Sequence, residues 1–279
     1  AEAMLTLLSD DSGLVLVHGN GPQVGALLLQ NEAGRKEVPA SELDVLVAET
    51  QGSIGYLLSR SLHNALRARE KAIEVVTVVT QVVVDPADPA MANPTKPVGP
   101  FYPETDRADL VAERGWQMVS VAGKGVRRVV PSPPPIDVVE IDAISAAAAA
   151  GRLVVAGGGG GIPVARADSG ELVGVEAVID KDRTAALVAI RLDARSFIIL
   201  TEVPHASVGF ATSDEAPILE MSIDRAQELL DEGEFPPGSM GPKVESAIAY
   251  ARATGRPALI TNVESLADAL EGRNGTRVL

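Results

Sequence analysis

The stretch that most constrains this chain is Gly174 to Ile190, GVEAVIDKDRTAALVAI. An apolar run, Val173 to Ile179, meets Asp180-Lys181-Asp182, and a small-residue helix follows at once from Thr184 to Ile190. A strand turning straight into a helix sets Lys181 and Asp182 at the strand's carboxyl edge, where open α/β sheets bind ligands. The helix is apolar on nearly all sides, which predicts a buried element with a fixed N-terminus. Such an N-terminus offers free N–H groups and a positive dipole end to an anion. The plain alternative is that Asp180 or Asp182 only caps the helix. A cap accounts for one aspartate but not for a lysine at the positive end, where a cation is unfavourable.

Composition narrows what that anion site belongs to. At 279 residues the chain has room for one large α/β domain, and 46% hydrophobic with 3% aromatic residues means a core of Val, Leu, Ile and Ala. The net charge of -14 argues against nucleic acid or an anionic membrane as partner, and requires local cations wherever an anion binds. With no cysteine there is no thiolate chemistry, and three scattered histidines, His18, His63 and His205, make a poor zinc set. No apolar run reaches the length of a membrane span and no signal peptide opens the sequence, so a soluble cytoplasmic protein is expected. Only six of the 24 basic residues are lysines: Lys36, Lys71, Lys96, Lys124, Lys181 and Lys243. Four of the six lie in NPTKPVGP, AGKGV, VIDKD and SMGPKV, loop or helix-start segments where a compact ammonium can follow a moving phosphoryl group. Chance placement in loops is the bland alternative.

In chain order, Ala1 to Leu8 reads as a helix tail and Leu14 to Val17 as a short buried strand, followed by HGNGPQVG. Gly19-Asn20-Gly21 permits a tight turn and close backbone approach to a ligand, and Pro22 then opens a helix over Val24 to Gln30. Ser41 to Glu70 predicts one long helix or two, with Ser41 and Asp44 resembling a capping box. Gly52 and Gly55 weaken its middle, pointing to close packing against another backbone, a partner subunit among the options. Val75 to Val84 is β-branched and nearly unbroken, the pattern of one central parallel strand.

Residues 85–135 change texture, with accumulated prolines, Phe101, Tyr102 and Trp116. They predict a subdomain inserted in a single domain spanning 1–279, with a helix at Thr105 to Arg114 and an antiparallel pair around Trp116 to Val130. It is either a lid whose cations close over a ligand or a rigid packing flap. Ile136 to Ala150 reads as helix, and the strand Leu153 to Ala156 opens into Gly157 to Gly161. Five glycines are costly in chain entropy unless backbone N–H groups must wrap an anion at close range. Phe197 to Leu200, Ala258 to Thr261 and Thr276 to Leu279 read as strands, with helices at Ser222 to Asp231 and Ser239 to Gly255. Neither a Walker A nor a protein-kinase glycine motif is present. The residues by themselves describe an α/β protein whose glycine turns and loop lysines suit positioning and neutralising a phosphoryl group.

HGNGPQVG, LDVLVAETQGSIGY, NPTKPVGPFY, GGGGIPV, GVEAVIDKD and MGPKVE occur in this order, and with them the chain resembles the carbamate kinases of the amino acid kinase family. The resemblance runs from Ala1 to Leu279. It implies a three-layer α/β/α sandwich around a mostly parallel sheet, a homodimer, and reversible phosphoryl transfer between MgATP and carbamate, giving carbamoyl phosphate and ADP. In arginine catabolism the reaction would run towards ATP. Gly19, Asn20 and Gly21, with Gly157, Gly158, Gly159 and Gly160, are implied to hold carbamate or carbamoyl phosphate, and Lys96 to reach in from the insertion. Lys181 and Lys243 are implied to stabilise the transferred phosphoryl group, with Asp182 orienting them. The nucleotide is implied to lie along Thr201, Glu202 and Val203 and at Met240, Gly241 and Lys243. No carboxylate cluster makes a Mg²⁺ cage, so the metal is expected on the nucleotide. The rivals are another small-molecule kinase of the superfamily and a non-catalytic anion-binding protein.

Two departures from the family pattern stand out. The family begins with a strand ending in a Gly-Gly-Asn loop, and nothing before Ala1 supplies it, so the 279-residue chain is expected to be an inactive, poorly folded fragment. On the nucleotide side, Thr201-Glu202-Val203 replaces Thr-Asp-Val, and Ser207 and Gly209 stand where Tyr and Asn usually fall.

Overall fold

The computed structural model describes residues 2–8 and 13–279. The first half runs α1 (Glu2–Leu5), β1 (Leu14–Leu16), α2 (Gly21–Gly34), α3 (Leu43–Ala68), β2 (Val75–Thr77), β3 (Gln81–Val84) and α4 (Pro89–Ala92). β4 (Lys96–Tyr102), α5 (Arg107–Arg114), β5 (Gln117–Val121), β6 (Gly125–Val130), β7 (Pro135–Val138) and α6 (Ile141–Ala149) follow. The second half continues with β8 (Leu153–Val155), β9 (Ile162–Arg166), β10 (Leu172–Gly174), α7 (Lys181–Arg191), β11 (Phe197–Leu200), β12 (Ala206–Val208) and β13 (Ala216–Ile218). It closes with β14 (Glu220–Met221), α8 (Ile223–Asp231), α9 (Met240–Thr254), β15 (Ala258–Thr261), α10 (Leu266–Leu270) and β16 (Thr276–Val278).

The architecture is a three-layer α/β/α sandwich. β1, β8 and β2 pair in parallel, as do β3 with β9 and β11 with β15. β8 runs into β9 through the glycine turn, and β2 runs into β3 beside it, so both ladders are interrupted at the same level. Helix α3 packs against β2, β8 and β9, α6 against β1 and β8, and α9 against β11, β15 and β16. The aliphatic core follows from the composition: Val82, Val84, Ile144 and Val154 are buried in one cluster. A second cluster on the α9 side is anchored by Phe197 and Tyr250, whose ring centroids lie 5.2 Å apart.

Four local expectations are corrected. The single strand over Val75 to Val84 is two strands in different ladders, because Thr80 turns its peptide groups to a side chain of α3: its N–H donates to Gln51 Oε1 at 2.7 Å and its carbonyl accepts from Gln51 Nε2 at 3.2 Å. The stretch leading to Asp180 is not a strand. After β10, residues Val175 to Asp180 form an extended connection whose N–H groups find scattered partners, Val175 on Pro163 O and Val178 on Pro131 O. Ile136 to Val138 lies in β7, antiparallel to β3, and the helix starts only at Ile141. The Ser41–Asp44 capping box is absent: Asn31 takes both backbone groups of Ser41, and Glu42 sits at the cap position with no side-chain cap.

Helix α3 runs unbroken through both of its central glycines. Gly55 is required within the chain, since a Cβ there would lie 2.3 Å from Thr77 Cγ2, whereas a Cβ at Gly52 meets open space. Between β3 and β7 the antiparallel β4–β6–β5 sheet and α5 form the insertion. Most of its cations are spent inside it. Arg107 donates to Met118 O, Lys124 lies over Phe101, Arg127 donates to Gly99 O, and Arg128 lies over Trp116 while also pairing with Glu176 outside the insertion.

Candidate active site

The start of α7 answers the question its sequence posed. Asp180 is the cap, with Oδ1 accepting the Asp182 N–H at 2.9 Å. Asp182 does something else. Buried at 7% exposure, it accepts Lys181 Nζ on Oδ1 at 3.1 Å and Lys243 Nζ on Oδ2 at 2.8 Å. Lys243 arrives from the first turn of α9, itself 8% exposed, so two ammonium groups from two helix starts share one carboxylate. Arg183 and Glu245 tie the same two helices together nearby, at 3.1 and 2.7 Å. From the insertion, Lys96 Nζ reaches Asp180 Oδ2 at 3.2 Å. Burial pushes the Asp180 carboxyl up, but the Lys96 ammonium and the N–H groups of Asp182 and Arg183 outweigh it, leaving it below the usual carboxylate range. Three lysines thus face two aspartates, and a chain of net charge -14 is locally cationic here. That imbalance is what an incoming phosphate needs.

The two glycine turns interlock against this cluster. Gly19 rests on the Lys181 stem, where a Cβ would lie 3.4 Å from Cδ. A Cβ on Gly158 would strike His18 Nε2 at 2.3 Å, on Gly159 would strike Asn20 Nδ2 at 2.2 Å, and on Gly160 would strike Ile179 O at 2.1 Å. Gly161 is equally pinned, with Val82 Cγ2 2.1 Å from its Cβ position. The glycines are there chiefly so that two turns and a strand can occupy the same space. Burial holds the His18 imidazole below its ordinary value, with the Gly19 carbonyl pulling the other way.

The expected wrapping of an anion by many N–H groups is narrowed by the hydrogen bonds. The Gly157 N–H donates to Thr80 Oγ1, Gly159 to His18 O, Gly160 to Gly157 O and Gly161 to Gly158 O. Of the five glycine N–H groups, that of Gly158 alone has no partner among the described residues. Neither Gly19 nor Gly21 adopts positive φ, so the first turn makes no use of glycine's left-handed freedom. This contrast is testable by melting. Gly159→Ala places a Cβ on Asn20 at φ +69 and should cost about 2–5 kcal/mol, whereas Gly21→Ala meets nothing within 4 Å and should cost under about 1 kcal/mol. Equal melting temperatures would show that the interlock carries no weight.

Beside the lysines lies a cavity of about 590 Å³. Thr201, Glu202, Val203, Met240 and Lys243, which the resemblance assigns to the nucleotide, line it. Gly241 does not line it: it faces Pro236, whose carbonyl accepts the Gly241 N–H and would lie 3.3 Å from a Cβ. Of the two departing positions, Ser207 is in the cavity wall, joined by His205, Phe210 and Phe235, whereas Gly209 does not line it.

Sequence reading missed the residues that hold the turns. Thr50 Oγ1 accepts from Asn20 Nδ2, Thr184 Oγ1 donates to Gly160 O, and Gln51 and Thr80 brace the glycine turn. One signal was available. Leu43, Leu46, Val47, Thr50 and Gln51 follow the i, i+3, i+4, i+7, i+8 spacing of one helix face, and the last two are polar.

Among the described residues no three His, Cys, Asp or Glu are grouped to hold a metal ion, and Asp180 and Asp182 are already committed to lysines. No helix among them is long and apolar enough to cross a membrane.

Comparison with known proteins bears on the family and the fold. The model of the amino acid kinase family matches residues 1–262. The chain is 45% identical to the carbamate kinase of Trichomonas vaginalis over 278 residues, 99% of this chain and 88% of that one. It is 46% identical to the carbamate kinase of Thermococcus kodakarensis over 275 residues, 98% and 87% of the two chains. The solved carbamate kinase from Giardia lamblia bound to AMP-PNP superposes with a TM-score of 0.90 at 42% identity, covering 95% of this chain and 84% of that one.

Proposed function

The chain belongs to the carbamate kinases of the amino acid kinase family, and from that premise we propose how its residues divide the work. The enzyme moves a phosphoryl group reversibly between ATP and carbamate. In the direction of ATP, the bond from phosphorus to the carbamoyl oxygen breaks as a terminal β-phosphate oxygen of ADP bonds to phosphorus. Such a transfer needs positioning and charge neutralisation more than covalent help from the protein. Lys181 and Lys243 supply the neutralising charge, and Asp182 sets their spacing. Lys96 leaves Asp180 for the phosphate when the insertion closes as a lid. The Gly19–Gly21 and Gly157–Gly160 turns seat carbamoyl phosphate, with the Gly158 N–H as the free backbone donor. The nucleotide occupies the cavity beside Thr201, Glu202 and Val203.

Any magnesium arrives on the nucleotide, since the carboxylates among the described residues do not form a cage for a resident ion. A second copy is assigned to the outward face of α3, where Val45, Tyr56 and Leu57 are exposed around Gly52. An exposed glycine in mid-helix is costly unless another backbone approaches it. A cytoplasmic setting, with net flux towards ATP as in arginine breakdown, completes the proposal.

The observation that carries it is the single buried carboxylate holding two lysines from two helix starts. The test is ATP formation from carbamoyl phosphate and ADP by the purified chain, both as it stands and with the family's N-terminal strand and Gly-Gly-Asn loop added, read by a coupled luciferase assay and expected to depend on both substrates. Carbamoyl phosphate binding without ATP formation favours the non-catalytic rival. Activity only with another acyl phosphate favours a different kinase of the family.

A further inference from the structure

We infer that Gln51, in the middle of α3, is a positioning residue of the carbamoyl phosphate seat. It is 2% exposed, and both of its N–H donors and its carbonyl oxygen are engaged with the turn and the strand beside it. Nε2 donates to Gly158 O at 2.9 Å and to Thr80 O at 3.2 Å, while Oε1 accepts the Thr80 N–H at 2.7 Å. Thr80 passes the restraint on, because its Oγ1 accepts the Gly157 N–H at 2.9 Å. The Gly158–Gly159 peptide is therefore gripped at both ends, its carbonyl by Gln51 and its N–H by His18 O at 2.7 Å. The Ala156–Gly157 peptide is gripped through Thr80. Between these two lies the Gly157–Gly158 peptide, which carries the one uncommitted N–H of the turn. Its own carbonyl accepts the Gly160 N–H at 3.1 Å, a bond within the turn. Because glycines offer little resistance to a peptide flip, the flanking grips from outside the turn are what fix this donor's direction against the rest of the site. One amide on α3 thus aims the backbone donor of a turn more than 100 residues away in sequence.

The inference rests on the reading of the glycine turn as the substrate seat, and the test separates the two. Wild type, Gln51→Met and Gln51→Glu are compared for ATP formation, with carbamoyl phosphate and ADP varied in turn, for calorimetric binding of carbamoyl phosphate, and for cooperative melting. Methionine keeps the volume and loses every hydrogen bond. It should lower kcat/KM for carbamoyl phosphate by about 10²-fold, the scale of one preorganised donor, with the KM for ADP within about twofold. Glutamate is the sharper probe. Ionised, it sets a carboxylate against the Gly158 and Thr80 carbonyls; protonated, it accepts from the Thr80 N–H and donates to Gly158 O as glutamine does. Burial raises a carboxyl's pKa, so Gln51→Glu should regain activity relative to wild type as the pH falls from about 8.5 to 6. His18 at the turn, Glu140 beside Thr80, and Asp180, Lys181 and Asp182 at α7 are common to all three proteins, so the ratio to wild type cancels their titration.

A flat ratio for Gln51→Glu overturns the inference, as do near-wild-type values in both variants, equal losses for ADP and carbamoyl phosphate, or loss of cooperative melting in both. If wild type makes no ATP even with the family's N-terminal strand and loop added, the functional reading fails on its own. The calorimetric comparison of the three proteins then still decides the role of Gln51.

Discussion

Lys243→Ala should lower kcat for ATP formation by about two to three orders of magnitude, the range found when one preorganised donor to a developing charge is removed. Lys243 is 8% exposed and its ammonium lies 2.8 Å from Asp182 Oδ2, so water cannot readily replace it. Lys181→Ala should show a loss of similar scale, although its side chain is more open, because both cations are held on the same carboxylate. The KM for ADP should move much less than kcat, as expected for an interaction made mainly in the transition state. Lys243→Arg should not rescue, since a planar guanidinium cannot fill a buried slot shaped for a point charge. Steady-state kinetics on the variants decide the matter, and near-wild-type kcat in both alanine variants removes the lysines from the mechanism.

Asp182→Ala should be damaging in a second way. It strands Lys243 as an uncompensated buried cation, a change that costs about 3–5 kcal/mol in comparable buried pairs. For a chain of this size that is roughly 10 °C in melting temperature. The double variant Asp182→Ala/Lys243→Met removes the stranded charge as well. It should recover much of the stability while staying as inactive as Lys243→Ala, because replacing both partners is far cheaper than removing one. Calorimetric melting with parallel activity assays reads both quantities. A single variant that melts like wild type, or a double variant no more stable than the single, would remove the idea that Asp182 balances a buried cation.

What was legible in the sequence and what was not divide along physical lines. The starts of α7 and α9 were legible, because Asp180 and Gly241-Pro242 are local signals that need no distant partner. The clustering of Lys96, Lys181 and Lys243 was legible once their segments matched a known family in order. The strand break at Thr80 was not, since Val75 to Val84 is uniformly β-forming and only the amide of Gln51, 29 residues earlier, turns the peptide aside. The connection before Asp180 misled for a related reason: Val175, Val178 and Ile179 look like a strand, but the N–H groups of Val175 and Val178 find partners on separate segments instead of one neighbouring strand. Ile136 to Val138 lost its helix to pairing with β3, a long-range preference that local propensity does not contain. The glycines of 157–161 were noticed for a reason only partly the right one. Their N–H groups mostly close on the protein, and their missing side chains make room for His18, Asn20, the Ile179 carbonyl and Val82.

That interlock limits how the pocket can be re-engineered. A library that varies Gly157 to Gly161 alone explores almost nothing, because at four of the five positions the first added carbon already overlaps a fixed neighbour. Variation at His18 or Asn20 alone leaves holes that no glycine can fill. Productive routes run through paired exchange, a smaller residue at His18 with a larger one at Gly158, or at Asn20 with Gly159, so that the total volume is conserved. The left-handed φ of Gly159 further restricts its replacement to residues such as Asn or Asp that tolerate it. Retargeting the enzyme to a bulkier acyl phosphate is therefore a search over coupled pairs, with single-site scans expected to report only failures.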